Sequence, residues 1–251
     1  MRVLVCVKRV PAPGARIVLT GDGKAIDSTL LSFTVSPHEE CAVEEAVQIA
    51  ESLEGTVTVL TLGPPEAEEQ LRSSLAVGAH EAVLIPTDGS DWDPISTATA
   101  IAGAIQELET DGEFDLILFG NESADSGGYQ VGIRVAHTLG RPVVGGVKGI
   151  DVEEGTVTLR RETAGGSEIY SLPLPAVIAV KEGINLPRYP TLKGRLNAKK
   201  VELRRVEKER AGSGQQMVRL VTPAQEVSAT TILGDVGAVV DLLEELQVVK
   251  T

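Results

Sequence analysis

Aromatic residues are scarce in this sequence. Trp, Tyr and Phe make up 3% of its 251 residues, although 42% of the chain is hydrophobic. The core must therefore be built from Val, Leu, Ile and Ala, a composition typical of a sheet packed under small helices. The length is ample for one large domain or for a domain with arms.

Long apolar runs are missing as well. No stretch approaches the roughly 20 residues of a membrane-spanning helix. The N-terminal MRVLVCVKRV alternates like a strand and has no apolar signal-peptide core. The two cysteines, Cys6 and Cys41, form no CxxC motif, and we expect buried thiols without a disulfide. The sequence predicts a cytoplasmic protein without membrane insertion.

Net positive charge is also lacking. At −13, the chain is not expected to bind nucleic acid or an anionic membrane. The charge is unevenly spread, because residues 188–210 hold nine Lys and Arg against three Glu, which puts +6 in this window and −19 on the rest. This segregation favours a docking element, with a solvated basic loop as the alternative.

Strands and helices alternate through the first 142 residues. Helical spacing follows Ser36 and Pro37, and Asp93 precedes another helix that starts at Pro94. Short connections and repeated alternation predict a parallel twisted sheet with helices on both faces. The predicted strands are 2–8, 56–63, 81–86 and 114–120, and the predicted helices are 37–54, 64–79, 94–108 and 127–139.

The pattern changes after residue 142. Period-two alternation around EEG and AGG turns predicts antiparallel strands at the sheet edge. Residues 183–200 are interrupted by Pro and Gly, which predicts an irregular, protruding loop with an apolar tip and basic flanks. An extended polar arm is predicted at 207–230 and an amphipathic helix at 231–249. We predict a nucleotide-binding α/β domain at 1–205 and a C-terminal arm and helix at 206–251.

The Gly-rich loop GNESADSGGYQVG, residues 120–132, leads into the last helix of the alternating part. Backbone N–H groups at a helix N-terminus bind anions, and Gly127 and Gly128 allow close approach. The loop matches neither GxxxxGK[ST] nor GxGxxG, so it predicts phosphate binding without phosphate chemistry, or an ordinary turn. In a parallel sheet it would meet residues 8–13 and 63–65 beyond the carboxyl ends of the strands.

A second helix start is predicted near the same place. Ser36 and Glu39 have the spacing of a capping box. His38 could face a ligand ring or solvent, and we expect solvent. No catalytic set emerges, because His38, His80 and His137 fall in no HExxH motif or triad spacing. The sequence therefore favours a binding or carrier subunit over an enzyme, and it predicts no metal site.

Four stretches resemble the β subunit of electron transfer flavoproteins. VLVCVKRVPAP is similar to that family's first strand with its VKRV or VKQVP motif, and SPHEECAVEEA is similar to its NPxxExAVEEA helix start. VTVLTLGPPEAEEQLRSSLAVGAHEAVLI is similar to its GPxxxxxxRxALxMGAD segment. LPAVIAVKEGINLPRYPTLKGRLNAKK resembles the long family signature LPAV…NxPRYxxL…AKKK. The resemblance covers essentially the whole chain.

This resemblance implies an adenine-nucleotide α-hydrolase-like fold and a heterodimer with a larger α subunit. The α subunit would hold most of the FAD and be embraced by the C-terminal arm and helix of this chain. A structural AMP would be bound by this chain itself. The nucleotide-binding residues implied are Cys6, Ser36, Pro37, His38, Glu39, Leu62, Asp125, Ser126, Gly127, Gly128, Tyr129, Gln130, Val131, Gly132, Ile133, Arg134, Val135 and Ala136.

The resemblance also implies partners. Electrons would pass from dehydrogenases, such as acyl-CoA dehydrogenases, through FAD to a quinone reductase. The dehydrogenase would dock on residues 183–200, where Leu192 matches the family's apolar anchor; Lys200 matches one of its paired lysines and Asn197 replaces the other. The partner-recognition residues implied are Arg188, Tyr189, Leu192, Lys199 and Lys200.

The Gly-rich loop departs from both branches of the family. From Asp125 it reads DSGGYQVGI, whereas AMP-binding members usually read DDDCNQTGQ. Electron-bifurcating members read DGDTAQVGP and hold a second FAD in place of AMP. The loop shares QVG with these but has Tyr129 and Ile133 at two altered positions, and Ser36 replaces the family's usual Asn. We favour AMP; the alternatives are a bifurcating, NADH-oxidising complex and a stand-alone nucleotide-binding module of the stress-protein type.

Overall fold

A computed structural model describes residues 1–212, 214–223 and 232–248. The strands are β1 (Arg2–Cys6), β2 (Arg9–Pro11), β3 (Phe33–Val35), β4 (Thr56–Gly63), β5 (Glu81–Pro86), β6 (Leu116–Gly120), β7 (Val143–Glu153), β8 (Thr156–Thr163), β9 (Gly166–Pro173), β10 (Ala176–Val180) and β11 (Leu203–Arg205). The α-helices are α1 (Pro37–Ser52), α2 (Glu68–Val77), α3 (Pro94–Leu108), α4 (Val131–Leu139), α5 (Leu192–Ala198) and α6 (Val236–Glu245).

Nine of the described strands form one sheet, in the order β11-β5-β4-β1-β6-β10-β7-β8-β9. Strand β1 is central and parallel to both neighbours, so that Val5 lies beside Val59 on one side and Leu118 on the other. The sheet stays parallel through β10 and the start of β7, and then β7, β8 and β9 pair antiparallel. The predicted α/β sheet with antiparallel edge strands is confirmed.

Alternation along the strands divides the core into two layers. Val3 and Val5 face the cluster that includes residues of α1 and α2, whereas Leu4 and Cys6 face the cluster that includes residues of α3 and α4. Successive side chains of a strand point to opposite faces, and both faces of this sheet are covered by helices. Residues 3–7 are therefore apolar and buried without interruption, in place of the alternation expected from the sequence.

Some predicted boundaries were wrong. The helix predicted from residue 127 begins at Val131, because Gly127 and Tyr129 have φ of 53° and 51°, left-handed values that a right-handed helix excludes. Residues 183–200 are not wholly irregular, since they contain α5. This short helix is capped by Thr191, whose Oγ1 accepts the Gly194 amide at 3.0 Å.

Other elements are shorter than predicted. The strands at 2–8 and 114–120 are β1 and β6, and the helix at 64–79 is a turn of 3₁₀ helix at Pro65–Ala67 followed by α2. The predicted C-terminal helix is α6; residues 231 and 249 lie outside the described residues. The arm has no regular structure at 207–212 and 214–223, and the rest of the predicted 207–230 span lies outside the described residues.

Both cysteines are buried and free, as predicted. Within the part of the chain that the structure describes, every helix is too short or too polar to cross a membrane. The predicted boundary between residues 205 and 206 stays a prediction.

Candidate functional site: a nucleotide edge and a docking segment

The carboxyl edge of the parallel strands brings distant segments together. Just beyond β1, the Lys8 amide donates to Glu39 Oε2 at 2.7 Å, at the start of α1. The Lys8 ammonium bonds Asp125 Oδ2 at 2.6 Å, in the loop after β6. The loops after β1 and β6 therefore meet as the sequence predicts, with the loop after β4 beside them because β4 adjoins β1.

Glycine at position 120 allows α1 to approach this edge closely. A β-carbon there would lie 2.6 Å from Glu39 Cγ and 3.2 Å from His38 Cβ. Glu39 is almost wholly buried as a result. Burial raises the pKa of its carboxyl to about 8, although the Lys8 amide, the Lys8 charge and the Ser36 amide act in the opposite direction.

The predicted capping box was wrong in its hydroxyl half. Ser36 makes no side-chain cap; its Oγ donates to the Glu122 carbonyl at 3.4 Å. The hydroxyl half fails because the loop after β6 takes the Ser36 hydroxyl, while the Glu39 carboxyl also accepts the Lys8 amide from the chain just beyond β1.

Helix α4 also lacks a side-chain cap, at Gln130. By contrast, Asp93 caps α3 by accepting the Ile95 and Ser96 amides, as predicted. Helices α1, α2 and α4 therefore all begin without a side-chain acceptor on their first-turn N–H groups. Such N–H groups, at the positive end of the helix dipole, are suited to an anion such as a phosphate.

The expectation that His38 faces solvent was wrong. Its Nδ1 accepts the Glu182 amide at 2.7 Å, and its Nε2 lies 3.4 Å from Glu122 Oε1. Because Nδ1 accepts, the proton of the neutral ring must reside on Nε2, where it can be donated to Glu122. The imidazole therefore links α1 both to the loop after β6 and to the chain that follows β10.

The Gly-rich loop folds on itself before α4. Gly127 donates its amide to the Ser123 carbonyl at 2.9 Å, and the hydroxyls of Ser123 and Ser126 are 2.9 Å apart. Tyr129 is 53% exposed, and the nearby Glu122 carboxylate raises the pKa of its hydroxyl. A β-carbon at Gly128 would meet nothing within 4 Å. The loop therefore borders open space on the side of Gly128.

Part of the implied nucleotide set faces a separate groove. Tyr129, Gln130, Ile133 and Arg134 line a cavity of about 470 Å³ between α3 and α4, opposite Ile95. This volume lies in the lower part of the range found for small-molecule sites, about 300–1,000 Å³. The set implied by the resemblance therefore does not line one single cavity.

Other members of the set lie in the core. Cys6, Val135 and Ala136 are buried in the layer beneath α3 and α4, and Leu62 and Val131 pack at its border. Burial, with a contribution from the nearby Glu39 carboxylate, raises the pKa of the Cys6 thiol. These side chains therefore belong to the core beneath the carboxyl edge and are not exposed on its surface.

Two further members have positions fixed by the backbone. Pro37 is the first residue of α1, where its missing N–H costs nothing. Gly132 lies against the Phe119 ring, from which a β-carbon would be 3.1 Å away. Both positions therefore suit the small or N–H-free residue that occupies them.

The second place of interest is the docking segment, which we define as residues 183–200. It presents an exposed apolar row, with Leu186, Tyr189 and Leu192 exposed by 90%, 93% and 76% and Leu196 also exposed. Lys199 and Lys200 follow at the end of α5 and are exposed too. Arg188 is different, because its guanidinium bonds Glu44 and Glu51 of α1.

Sequence reasoning missed residues in both places. Lys8 could have been predicted, since it lies just after the first strand, at the edge where ligands bind. Glu122 could have been predicted too, since it lies inside the Gly-rich loop at 120–132. Leu186 and Leu196 had the weaker signal of apolar residues among Pro, Gly and Lys. Glu44 had none, because an acidic residue on a helix is ordinarily exposed.

Comparison with known proteins identifies the family. A family model for the electron transfer flavoprotein domain matches residues 29–211. The electron transfer flavoprotein subunit beta of Mycobacterium bovis is 36% identical over 235 residues, covering 91% of this chain and 87% of that protein. The subunit of the same name from Thermoanaerobacterium thermosaccharolyticum is 31% identical over 260 residues, covering 98% of each. That of Bacillus subtilis is 34% identical over 207 residues, covering 82% and 79%. This chain therefore belongs to the electron transfer flavoprotein β-subunit family.

Proposed function

We propose that this chain is the β subunit of a cytoplasmic electron transfer flavoprotein, paired with an α subunit that binds most of the FAD. In this proposal it holds a structural AMP at the carboxyl edge. Its docking segment receives dehydrogenases, such as acyl-CoA dehydrogenases, whose electrons pass through FAD to a quinone reductase. The FAD, when bound, supplies the redox chemistry, and this chain supplies binding and orientation.

The observation that carries the nucleotide part is the pair of uncapped helix starts. Helices α1, α2 and α4 begin without a side-chain cap, whereas α3, α5 and α6 are capped by Asp93, Thr191 and Asp235. What sets α1 and α4 apart from α2 is that Lys8 joins the start of α1 to the loop before α4, through Glu39 and Asp125.

On α1, Pro37 has no N–H and the Glu39 and Glu40 amides donate to the Ser36 carbonyl, so the amide donors for a ligand come mainly from the first turn of α4. A phosphate is a ligand that suits such donors. The residues present therefore fit the phosphate end of a nucleotide.

The charges at this edge are compatible with an anion. The Lys8 ammonium neutralises Asp125, and Glu39, with a pKa of about 8, is largely protonated near neutral pH. The carboxylates next to the helix starts therefore add less repulsion than their number suggests. None of these groups is placed as a nucleophile, which agrees with a nucleotide that is held and not hydrolysed.

Release of the nucleotide from the purified αβ heterodimer tests this proposal. After denaturation, mass spectrometry and absorbance should find one AMP and one FAD per heterodimer. Two FAD and no AMP would instead establish the bifurcating alternative, in which this chain holds a second flavin. A heterodimer with one FAD and no second nucleotide would refute nucleotide binding at this edge.

The docking part of the proposal has its own test. Leu192→Ala removes an exposed apolar anchor and should raise KM for a reduced acyl-CoA dehydrogenase as electron donor, by about tenfold for an anchor worth somewhat more than 1 kcal/mol. Leu30→Ala is the control, since Leu30 is also an exposed leucine and lies outside the docking segment, between β2 and β3. Flavin content should stay unchanged in both variants. An unchanged KM for Leu192→Ala would contradict docking at this segment.

A further inference from the structure

We propose that Arg188 is a positioning residue, which holds the docking segment on α1 and does not itself serve as a contact for the partner. The inference rests on the proposed function, because it assigns the docking role to the segment that Arg188 fixes. It concerns how Leu192 and its neighbours are presented, and three sets of contacts support it.

The first set is the grip of Arg188 on two carboxylates of α1. Its Nε lies 2.9 Å from Glu44 Oε2 and its Nη2 lies 3.0 Å from Glu44 Oε1. Nη1 and Nη2 bond the two oxygens of Glu51 at 2.7 Å and 3.0 Å. The Arg188 backbone amide also donates to Glu44 Oε2, at 3.1 Å. All three guanidinium nitrogens are therefore engaged within the subunit, in the planar fork geometry that favours Arg over Lys.

Burial of Glu44 makes its ion pair with Arg188 more costly to break than an ordinary surface ion pair. The Glu44 side chain is 3% exposed, and Gln48 donates to it as well, at 2.7 Å. Burial acts to raise the pKa of the Glu44 carboxyl, but the Arg188 and Gln48 hydrogen bonds outweigh it and hold that pKa below its usual value. Removal of Arg188 would leave a buried carboxylate without its counter-charge, a more costly change than loss of an exposed pair.

The second set fixes the chain just before Arg188. Asn185 donates its side-chain amide to the Cys41 carbonyl at 3.0 Å and to Glu45 Oε2 at 2.8 Å. These acceptors lie on the same helix as Glu44, one helical turn or less away. Residues 185–188 are therefore bound along α1 by side chains at both ends.

The third set fixes the far end of the segment on α2. Arg72 donates to the Val201 carbonyl at 2.6 Å and also to the Ala198 carbonyl. Gly194 packs so closely that a β-carbon would overlap the Ala76 carbonyl. Helix α5 is thus held on α2 while Leu192 and Leu196 remain exposed.

The consequence is an apolar row that is ordered before any partner arrives. Tyr189 and Leu192 lie between the anchor on α1 and the anchor on α2, so both contacts shorten the free span of chain. A segment already held in its binding conformation avoids part of the ordering cost of association. Loss of the α1 anchor should therefore weaken docking without touching a contact residue.

The test compares Arg188→Ala and Arg188→Lys with Arg161→Ala in the αβ heterodimer. Arg161 also bonds a glutamate, Glu168, but does so on the antiparallel edge. Hydrogen–deuterium exchange of peptides from 183–200 is measured first, without any dehydrogenase. We expect Arg188→Ala to accelerate exchange there by about tenfold, with Arg188→Lys intermediate and Arg161→Ala without effect.

Steady-state kinetics with a reduced acyl-CoA dehydrogenase form the second measurement. We expect Arg188→Ala to raise KM for the dehydrogenase by about tenfold, with kcat and flavin content unchanged. If Arg188→Ala does not fold, Glu51→Gln serves instead: Glu51 is exposed and its loss leaves the Glu44 pair intact, so exchange should rise by a smaller factor.

The outcomes separate this inference from the proposed function. Unchanged exchange at 183–200 overturns the positioning role, and unchanged exchange with a raised KM would show that Arg188 contacts the partner itself. Faster exchange with an unchanged KM also overturns it when Leu192→Ala raises KM in the same assay. If the dehydrogenase reduces neither the wild-type heterodimer nor the Leu192→Ala variant, the proposed function fails. The exchange measurement, made without a dehydrogenase, still shows whether Arg188 holds the segment.

Discussion

Glu39 shows how one side chain can change its role between the sequence and the fold. Its spacing from Ser36 is that of a capping box, but in the structure its carboxyl is buried between Lys8 and the end of β6. Burial raises its pKa from 4.5 to about 8. The folded state therefore keeps a proton that the unfolded state releases at lower pH, and the Glu39 contribution to stability falls as pH rises through this range.

Replacing Glu39 with Gln should remove this pH dependence. Below about pH 4 the two proteins should have similar Tm values, because Glu39 is then protonated in both folded and unfolded chains. Between about pH 5 and 8 the Tm of Glu39→Gln should rise relative to wild type by several degrees, at about 2–4 °C per kcal/mol for a chain of this size. Thermal unfolding of the heterodimer at several pH values measures it.

An exposed glutamate provides the matched control. Glu54→Gln makes the same substitution at an exposed position, and its Tm is measured beside that of Glu39→Gln at each pH. If the Tm difference between Glu39→Gln and wild type stays constant across the pH range, the carboxyl at position 39 is ionised in the folded protein and the prediction is wrong.

At the scale of elements, α1 connects the two candidate functional places, the carboxyl edge and the docking segment. Its first turn holds Glu39 and His38 at the carboxyl edge, and Glu44 in its middle and Glu51 in its last turn bond the docking segment. His38 also accepts the Glu182 amide, directly before that segment. The position of α1 on the sheet therefore sets both places together.

Gly120→Ala should displace α1. The new methyl group would lie 2.6 Å from Glu39 Cγ, so the helix or its side chain must shift. Overpacking of this kind typically costs about 1–3 kcal/mol, and we expect a matching fall in the free energy of unfolding together with reduced nucleotide content. Urea unfolding and nucleotide release measure the two effects.

Gly21→Ala is the control for this substitution. A β-carbon at Gly21 would meet nothing within 4 Å, and its φ lies outside the left-handed region, so stability should be unchanged. Equal stability of the Gly120 and Gly21 variants would mean that α1 does not press on β6 as described.

At the scale of the whole molecule, the fold sorts the basic charge that the sequence concentrates at 188–210. Arg204 and Lys208 pair with Glu107, and Arg205 pairs with Glu68. Among the described residues, those of the window left without an ion pair include four on or beside α5: Lys193, Arg195, Lys199 and Lys200. The unpaired positive charge therefore lies next to the exposed apolar row, on a molecule that is otherwise strongly acidic.

Docking should therefore depend on ionic strength. Reduction of the heterodimer by a reduced acyl-CoA dehydrogenase at limiting concentration should slow by about tenfold between low salt and about 0.5 M salt, since steering between exposed charges is screened. In Lys199→Ala/Lys200→Ala the rate at low salt should fall and the salt dependence should weaken. Stopped-flow absorbance of the flavin measures both.

Lys24→Ala controls for the change in net charge, because Lys24 is exposed on the hairpin between β2 and β3. It should keep the wild-type salt dependence. If the double lysine variant does so too, the partner is not steered by the charge at the end of α5.

The sequence by itself determined the layers of this protein. Strands β4 and β5, helix α3 with its Asp93 cap, and the antiparallel edge follow from hydrophobic period and turn residues, which are local properties. The meeting of the loops after β1 and β6 followed from the rule for parallel sheets. The start of α4 was missed, because a left-handed Tyr129 has no reliable sequence signal.

Only the tertiary structure decided which partners the polar side chains take. Glu39 bonds an amide 31 residues away, and His38 and Glu44 bond groups 144 residues away. From local spacing alone, Ser36 was expected to cap α1 with its hydroxyl and Glu44 to face solvent. Arg188 was expected to contact a partner protein. Packing removed water from these groups and brought distant donors and acceptors within reach, and buried polar groups must be satisfied by whatever the fold places beside them.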